Sequence, residues 1–180
     1  MGFEYYGRIE VVGLPKGEKA VENAIKKLLE NSEDNNFEQY KKEGYLEQLY
    51  ISDNQLVSDG GGDYDDMSAY NDIFYCVSDE IVNMYPECTM HASFKGCNMN
   101  SDDEWALIMD LKNHHVRRID IEGSCESICC PNPDCEEVII SVSEFEFDTD
   151  YECEYCGRKI SADEAINTMR ELVDVEEYDV

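Results

Sequence analysis

Two close pairs of cysteines constrain the fold of this chain more than any other feature. Cys130 and Cys135 are separated by four residues, Cys153 and Cys156 by two, and 17 residues lie between the two pairs. Paired cysteines on tight Pro- or Gly-containing turns direct their sulfur atoms towards one centre, where four thiolates hold zinc tetrahedrally. The spacing therefore predicts a structural zinc site formed by these four side chains.

With this pattern, residues 128–160 resemble a zinc ribbon. The first pair departs from the commoner spacing, because four residues rather than two intervene and Cys129 is an alternative ligand to Cys130. We favour Cys130, since Pro131 follows it as in many ribbon turns. The resemblance implies a closed set of four thiolates, so that the zinc has a structural rather than a catalytic role. The 17 residues between the pairs are expected to form a hairpin.

Residues 144–154 lie between the two cysteine pairs and extend into the second pair. They alternate acidic with mostly apolar residues. The acidic positions are Glu144, Glu146, Asp148, Asp150, Glu152 and Glu154. In a β-strand they would form a row of carboxylates about 6.6 Å apart, a spacing of the same order as that of nucleic-acid phosphates. This predicts an acidic strand that binds a basic partner. The alternative is an ordinary half-buried strand with an acidic solvent face.

The net charge gives the acidic segment more weight. The chain has 42 acidic and 14 basic residues, a formal charge of -28, and residues 126–180 carry 17 of the acidic and 3 of the basic residues. Such an excess repels nucleic acid and anionic membranes and attracts basic surfaces. Because 42% of the residues are hydrophobic, the chain has enough apolar area to fold. We therefore expect a folded protein with a basic partner, without direct binding to nucleic acid or membrane.

The order of predicted elements in residues 1–124 is β-α-ββ-α-βββ. Aromatic and β-branched runs predict strands, and apolar residues at three- and four-residue spacing predict helices. The predicted elements are a strand at 3–12, a helix at 17–31, a hairpin over 45–58 that turns at 53–54, an acidic loop at 59–66, a helix at 67–85, and strands at 87–94, 105–111 and 116–121 with a turn at 113–114. We predict an α+β domain with an antiparallel sheet and helices on one face, in a ferredoxin-like arrangement.

Two further units are predicted after this domain. Residues 125–160 form the zinc ribbon, and residues 161–180 form a helix and an acidic tail. Ser161 and Glu164 have capping-box spacing, which predicts that the helix begins at Ala162 and continues to about Val173.

The sequence also bears on location and enzymatic activity. Neither a signal peptide nor an apolar run of membrane-spanning length is evident. The nine cysteines are an odd number and four of them have metal-ligand spacing, which fits reduced thiols, so we expect a cytoplasmic protein. Carboxylates at 102–104 and the histidines at 91, 114 and 115 match no catalytic pattern. We therefore expect no enzymatic activity.

In size, charge and composition the chain resembles the small acidic anti-CRISPR and anti-restriction proteins of phages. This resemblance implies an inhibitor that occupies the basic DNA- or RNA-binding surface of a nuclease, such as a CRISPR effector, by mimicking nucleic acid. The six acidic residues of the alternating segment would form the binding surface. Two alternatives remain: a cytoplasmic zinc-ribbon adaptor that docks on transcription or replication machinery, and a hydrolase of unrecognised type.

Overall fold

A seven-stranded antiparallel sheet forms the centre of the computed structural model, which describes residues 2–31, 36–101, 104–123 and 127–180. Its strands are β1 (Phe3–Val12), β2 (Tyr50–Ser52), β3 (Gln55–Gly62), β4 (Thr89–Asn98), β5 (Glu104–Lys112), β6 (His115–Glu122) and, from the end of the chain, β11 (Asp174–Asp179). The described helices are α1 (Ala20–Glu30), α2 (Phe37–Glu43), α3 (Tyr64–Met84) and α4 (Ala162–Met169). Two short hairpins combine β7 (Ser127–Cys129) with β8 (Val138–Ser141), and β9 (Tyr151–Glu152) with β10 (Lys159–Ile160).

The strand order is β11-β6-β5-β4-β1-β3-β2, with every neighbouring pair antiparallel. Helices α1 and α2 connect β1 to β2, and α3 connects β3 to β4. A tight turn joins β5 to β6 and has positive φ at Asn113 and His114 (54° and 63°), as the two-residue hairpin prediction requires. The structure therefore confirms an α+β fold with a large antiparallel sheet.

Helices α1, α2 and α3 cover one face of the sheet. Strand β1 alternates buried and exposed side chains, and α3 directs a stripe of buried residues towards it, including Phe74 and Val77. Gly7 allows this close approach, because a Cβ atom at that position would lie 2.6 Å from the Phe74 ring. Apolar periodicity thus predicted β1, α1 and α3 correctly.

The opposite face of the sheet is covered at β5 and β6 by the C-terminal part of the chain. Ala106, Ile108, Ile119 and Ile121 form a second core with residues of the C-terminal segments and α4. Helix α4, which was predicted as part of a separate C-terminal unit, therefore lies on the face opposite to α1–α3. The second core fixes the C-terminal module against the sheet.

Three predictions about local structure were wrong. Residues 59–62 are not part of a loop but extend β3 alongside β1, and Asp63 then starts α3 through a capping box with Asp66. The acidic tail forms β11, which pairs with β6. Helix α4 ends at Met169, before the expected Val173. No sequence pattern predicted α2.

Some predicted features lie outside the described residues. These are the carboxylates of Asp102 and Asp103 and the boundary between the first two predicted units at residues 124–125. Among the described helices, none combines the length and the apolar character needed to cross a membrane.

Candidate metal centre

Each cysteine pair lies at the end of its own two-stranded hairpin. Cys130 follows β7 and its backbone amide donates to the Glu137 carbonyl (2.7 Å), whereas Cys153 follows β9 and donates to the Arg158 carbonyl (2.8 Å). The strands on either side of each cysteine turn therefore pair with each other, β7 with β8 and β9 with β10. The hairpin expected between the two pairs does not form, so that prediction is corrected.

The two turns bring four sulfur atoms to one point. The Cys130 and Cys156 Sγ atoms are 3.5 Å apart, those of Cys135 and Cys153 are 3.6 Å apart, and all four lie within 4.8 Å of one another. A tetrahedral ion with zinc–sulfur bonds of 2.3 Å requires sulfur separations of about 3.8 Å. Since disulfide sulfurs are only about 2 Å apart, the arrangement is compatible with a metal site of four thiolates and not with disulfides.

The choice between neighbouring cysteines is resolved by the direction of their side chains. Cys130 is buried and belongs to the sulfur group, whereas Cys129 is exposed and lies outside it. The structure therefore brings together the same four cysteines that the spacing predicted. Cys153 is buried as well, with 2% of its surface exposed.

The thiols influence one another strongly. A hydrogen bond from the Arg158 amide is the main factor that lowers the pKa of Cys156 to about 6. The Glu137 amide lowers the pKa of Cys135, but burial and the neighbouring thiols outweigh it and raise the value to about 12. Four adjacent thiolates repel one another, so complete ionisation requires a cation at their centre. The donor set therefore fits a divalent metal.

The alternating acidic segment is not a strand. A 3₁₀ turn covers Val142–Glu144. The chain turns again at 146–149, where the Thr149 amide donates to the Glu146 carbonyl (3.3 Å). Within the segment only Tyr151–Glu152 forms a paired β-strand. The row of carboxylates at 6.6 Å intervals is therefore absent. The alternation of burial nevertheless persists, because all six acidic residues are exposed while Phe145 and Phe147 are buried.

The rings of Phe145 and Phe147 explain this geometry. They lie edge to face with centroids 5.5 Å apart and belong to the core on β5 and β6. The Tyr151 hydroxyl accepts from the Glu146 amide (2.7 Å) and so ties the two ends of the turn together. Burial of the aromatic rings and these local bonds outweigh the tendency of the alternating pattern to form a strand.

Cations from elsewhere in the chain contact part of the acidic segment. Asp148 accepts from Lys112 and Arg117, each at 2.8 Å, and these bonds lower the pKa of its carboxyl. The Arg117 guanidinium also lies 4.6 Å from the centroid of the Phe147 ring. No sequence pattern predicted this clamp of Lys112 and Arg117 on Asp148, because these two residues lie on β5 and β6, distant from Asp148 along the chain.

The remaining five acidic residues differ in their contacts. Glu144 contacts Lys95 (3.7 Å) and Glu152 contacts Lys159 (3.2 Å), whereas an Asp150 oxygen accepts from the amide that starts α4 (3.1 Å). Glu146 and Glu154 contact no cation among the described residues. The Glu146 carboxylate instead accepts from the Thr149 hydroxyl (3.0 Å). The segment therefore combines two carboxylates that have no cation with several that are paired at the surface.

Comparisons of the chain with protein-family models, with curated proteins and with solved structures gave no match.

Proposed function

We propose that this chain is an acidic, non-enzymatic binding protein that inhibits a nucleic-acid-handling nuclease, with CRISPR effectors as the first partner class to test. In this proposal the chain occupies the basic surface on which the nuclease holds DNA or RNA. The supporting observation is the ordered segment 144–154, which exposes six carboxylates while its intervening rings anchor it to the sheet. Attraction to a basic groove would accelerate association and compete with phosphate.

The existing ion pairs of the segment are compatible with such binding. The contact of Glu152 joins two exposed side chains, and that of Glu144 joins an exposed carboxylate to the half-buried Lys95 at 3.7 Å. Surface pairs contribute about 0–1 kcal/mol. Arginine side chains of a partner could therefore replace them at small cost. Asp148 and Asp150 have structural contacts, so Glu144, Glu146, Glu152 and Glu154 are the residues through which the partner would be bound.

We further propose that the four cysteines hold zinc in a ribbon-like module. Zinc favours closed sets of four thiolates, and the metal would stabilise a small acidic unit that has little core of its own. For the sheet, the order β4-β1-β3-β2 with α1 and α3 as connections supports the ferredoxin-like arrangement. The reduced thiols that such a site needs support a cytoplasmic location.

Competition for DNA tests the proposed inhibition. The zinc-loaded protein is added to a guide-loaded CRISPR nuclease, and binding of the nuclease to its target DNA is measured at low and at physiological salt. We expect the protein to reduce DNA binding, and the effect to weaken as salt rises because charges are screened.

A matched pair of variants tests the segment itself. The first combines E144Q, E146Q, E152Q and E154Q, and the control combines E30Q, E43Q, E47Q and E171Q, which remove the same charge from exposed positions elsewhere. We expect the first variant to lose inhibition and the control to retain most of it. Equal inhibition by both variants would exclude the segment as the binding surface.

The adaptor alternative has one observation in its favour. Tyr155 at the tip of the second cysteine turn is 76% exposed, and Val138 beside the first turn is 59% exposed. An adaptor would use these apolar side chains, so Y155A would weaken its binding to a partner independently of salt. Absence of any effect on the nuclease, with capture of a partner that depends on Tyr155, would favour this function.

A further inference from the structure

A chain of charged side chains links the middle strands of the sheet to the acidic segment. Its members contact one another in the order His91 of β4, Asp110 of β5, Arg117 of β6 and Asp148 of the segment. Asp110 lies opposite both His91 and Arg117 in the strand register, so the sheet itself places the first three together. The chain therefore joins a group that titrates near neutral pH to the segment that exposes the carboxylates.

Asp110 is shared between two cationic groups. Its Oδ1 atom is 2.6 Å from the Nδ1 atom of His91, and its Oδ2 atom is 3.6 Å from Nη2 of Arg117. The side chains of Asp110 and Arg117 are only 18% and 17% exposed, so solvent and salt screen this part of the chain less than a surface pair. A change of charge on His91 is therefore felt by Arg117.

Arg117 is in turn shared between two carboxylates. The same Nη2 atom forms a hydrogen bond with Oδ1 of Asp148 (2.8 Å) and only the longer contact with Asp110. Lys112 binds the other oxygen of Asp148, also at 2.8 Å. Because one nitrogen serves both carboxylates, stronger attraction to Asp110 weakens the bond to Asp148, and Lys112 is then its main partner.

The surroundings of His91 decide where its charge changes. The hydrogen bond to Asp110 is the main factor that raises the pKa of His91, and Glu146 of the acidic segment adds to it, whereas burial and Arg8 of β1 oppose it. Glu10 of β1 lies opposite His91 in the register and is bonded to Arg8 (2.8 Å). The balance raises the pKa above 6.5, so the imidazole gains and loses its proton close to neutral pH.

We propose that the proton on His91 controls how Arg117 is shared between Asp110 and Asp148, and so how firmly the acidic segment is held. With the proton, His91 compensates Asp110 and leaves Arg117 to Asp148. Without it, Asp110 attracts Arg117 more strongly. The segment is therefore held best below the pKa of His91 and loosens as the pH rises through it. The inference concerns the attachment of the segment and does not depend on the proposed inhibition.

An NMR titration of the zinc-loaded protein between about pH 5 and pH 8 tests this coupling. It follows the His91 ring and the amide of Thr149, whose hydrogen bond to the Glu146 carbonyl closes the turn of the segment. We expect both signals to titrate with the same midpoint, and the pH dependence of Thr149 to be lost in H91Q. H115Q is the matched control, because His115 also pairs with an acid, Asp179 (2.8 Å), and this variant should retain it.

A double-mutant cycle separates coupling through Arg117 from direct attraction through space. D148N frees Arg117 for Asp110 and should therefore lower the pKa of His91. This effect should disappear when D148N is combined with R117Q. E146Q removes a carboxylate that acts on His91 directly, so it should lower the pKa of His91 whether or not Arg117 is present.

Three results would overturn the proposal. They are a Thr149 amide that does not titrate with His91, a titration of this amide that persists in H91Q, and an equal effect of D148N on the pKa of His91 with and without Arg117. The first two concern only wild type and H91Q. Since the His91 side chain is 48% exposed, we expect H91Q to fold, and these two results decide the question even where R117Q does not fold.

Discussion

Glu136 and Gly157 occupy equivalent positions in the two cysteine turns. Each follows the second cysteine of its pair, and each has a positive φ, 54° for Glu136 and 70° for Gly157. Only glycine adopts this left-handed conformation without a steric cost. The second turn thus has the residue that the geometry favours, whereas the first turn has the same backbone in a strained form.

Replacing Glu136 by glycine should therefore stabilise the first turn. We expect E136G to raise the free energy of unfolding of the zinc-loaded protein by up to about 1 kcal/mol, since the relief of strain exceeds the entropy that glycine adds to the unfolded chain. G157A should lower it by about 1–2 kcal/mol. Thermal unfolding measures both. A loss of stability in E136G equal to that of the neighbouring control E137G would contradict the equivalence of the turns.

Removal of the metal should unfold the C-terminal module. We expect one zinc ion for each chain by elemental analysis, and a chelator should release it together with the packing of the second core, because the sulfur centre holds the two hairpins together. C130S should lose the metal, whereas C129S should retain it. Metal loss in C129S with retention in C130S would reverse the assignment of the first ligand.

The contact between His91 and Asp110 should produce a measurable pH dependence. Their Nδ1 and Oδ1 atoms are 2.6 Å apart, and this hydrogen bond is the main factor that raises the pKa of His91 above 6.5. Because the pKa is higher in the folded state, the stabilisation is fully present below the unfolded value and disappears as the pH rises through the folded one. An NMR titration of His91 should show a raised pKa in wild type and E171Q, and a lower one in D110N.

The Phe147 ring should anchor the acidic segment. It is 2% exposed, so F147A should lower the free energy of unfolding by about 3–5 kcal/mol through lost burial and the cavity that remains. Y155A removes a largely exposed ring and should change it by no more than about 0.5 kcal/mol. Denaturant unfolding of the zinc-loaded variants gives both values, and a similar loss in the two would indicate that the segment is not held by this ring.

Much of the sheet and the cysteine centre could be predicted because their signals are local. The alternation in β1 and the apolar spacing in α1 and α3 follow directly from which face of each element is buried. The cysteine spacing predicted which four side chains come together, because a closed thiolate site needs two paired turns. These features depend on near neighbours in the chain, which the sequence alone displays.

Other features depended on contacts between distant residues. The alternation at 144–154 is typical of a strand, yet burial of two phenylalanines on β5 and β6 and the clamp of Lys112 and Arg117 on Asp148 turn the chain instead. Likewise, the acidic end of the chain becomes β11 only because β6 has an unpaired edge. That pairing places Asp174 opposite Asp120.

The sequence by itself therefore determined the chemical character of this protein: its strong acidity, its two close pairs of cysteines and the elements with a clear apolar period. The tertiary structure alone decided which carboxylates are free, which are bound to cations and which face each other across two strands. The physical reason is that charge and ligand type belong to each residue, whereas burial and pairing arise only when segments distant in the chain pack together.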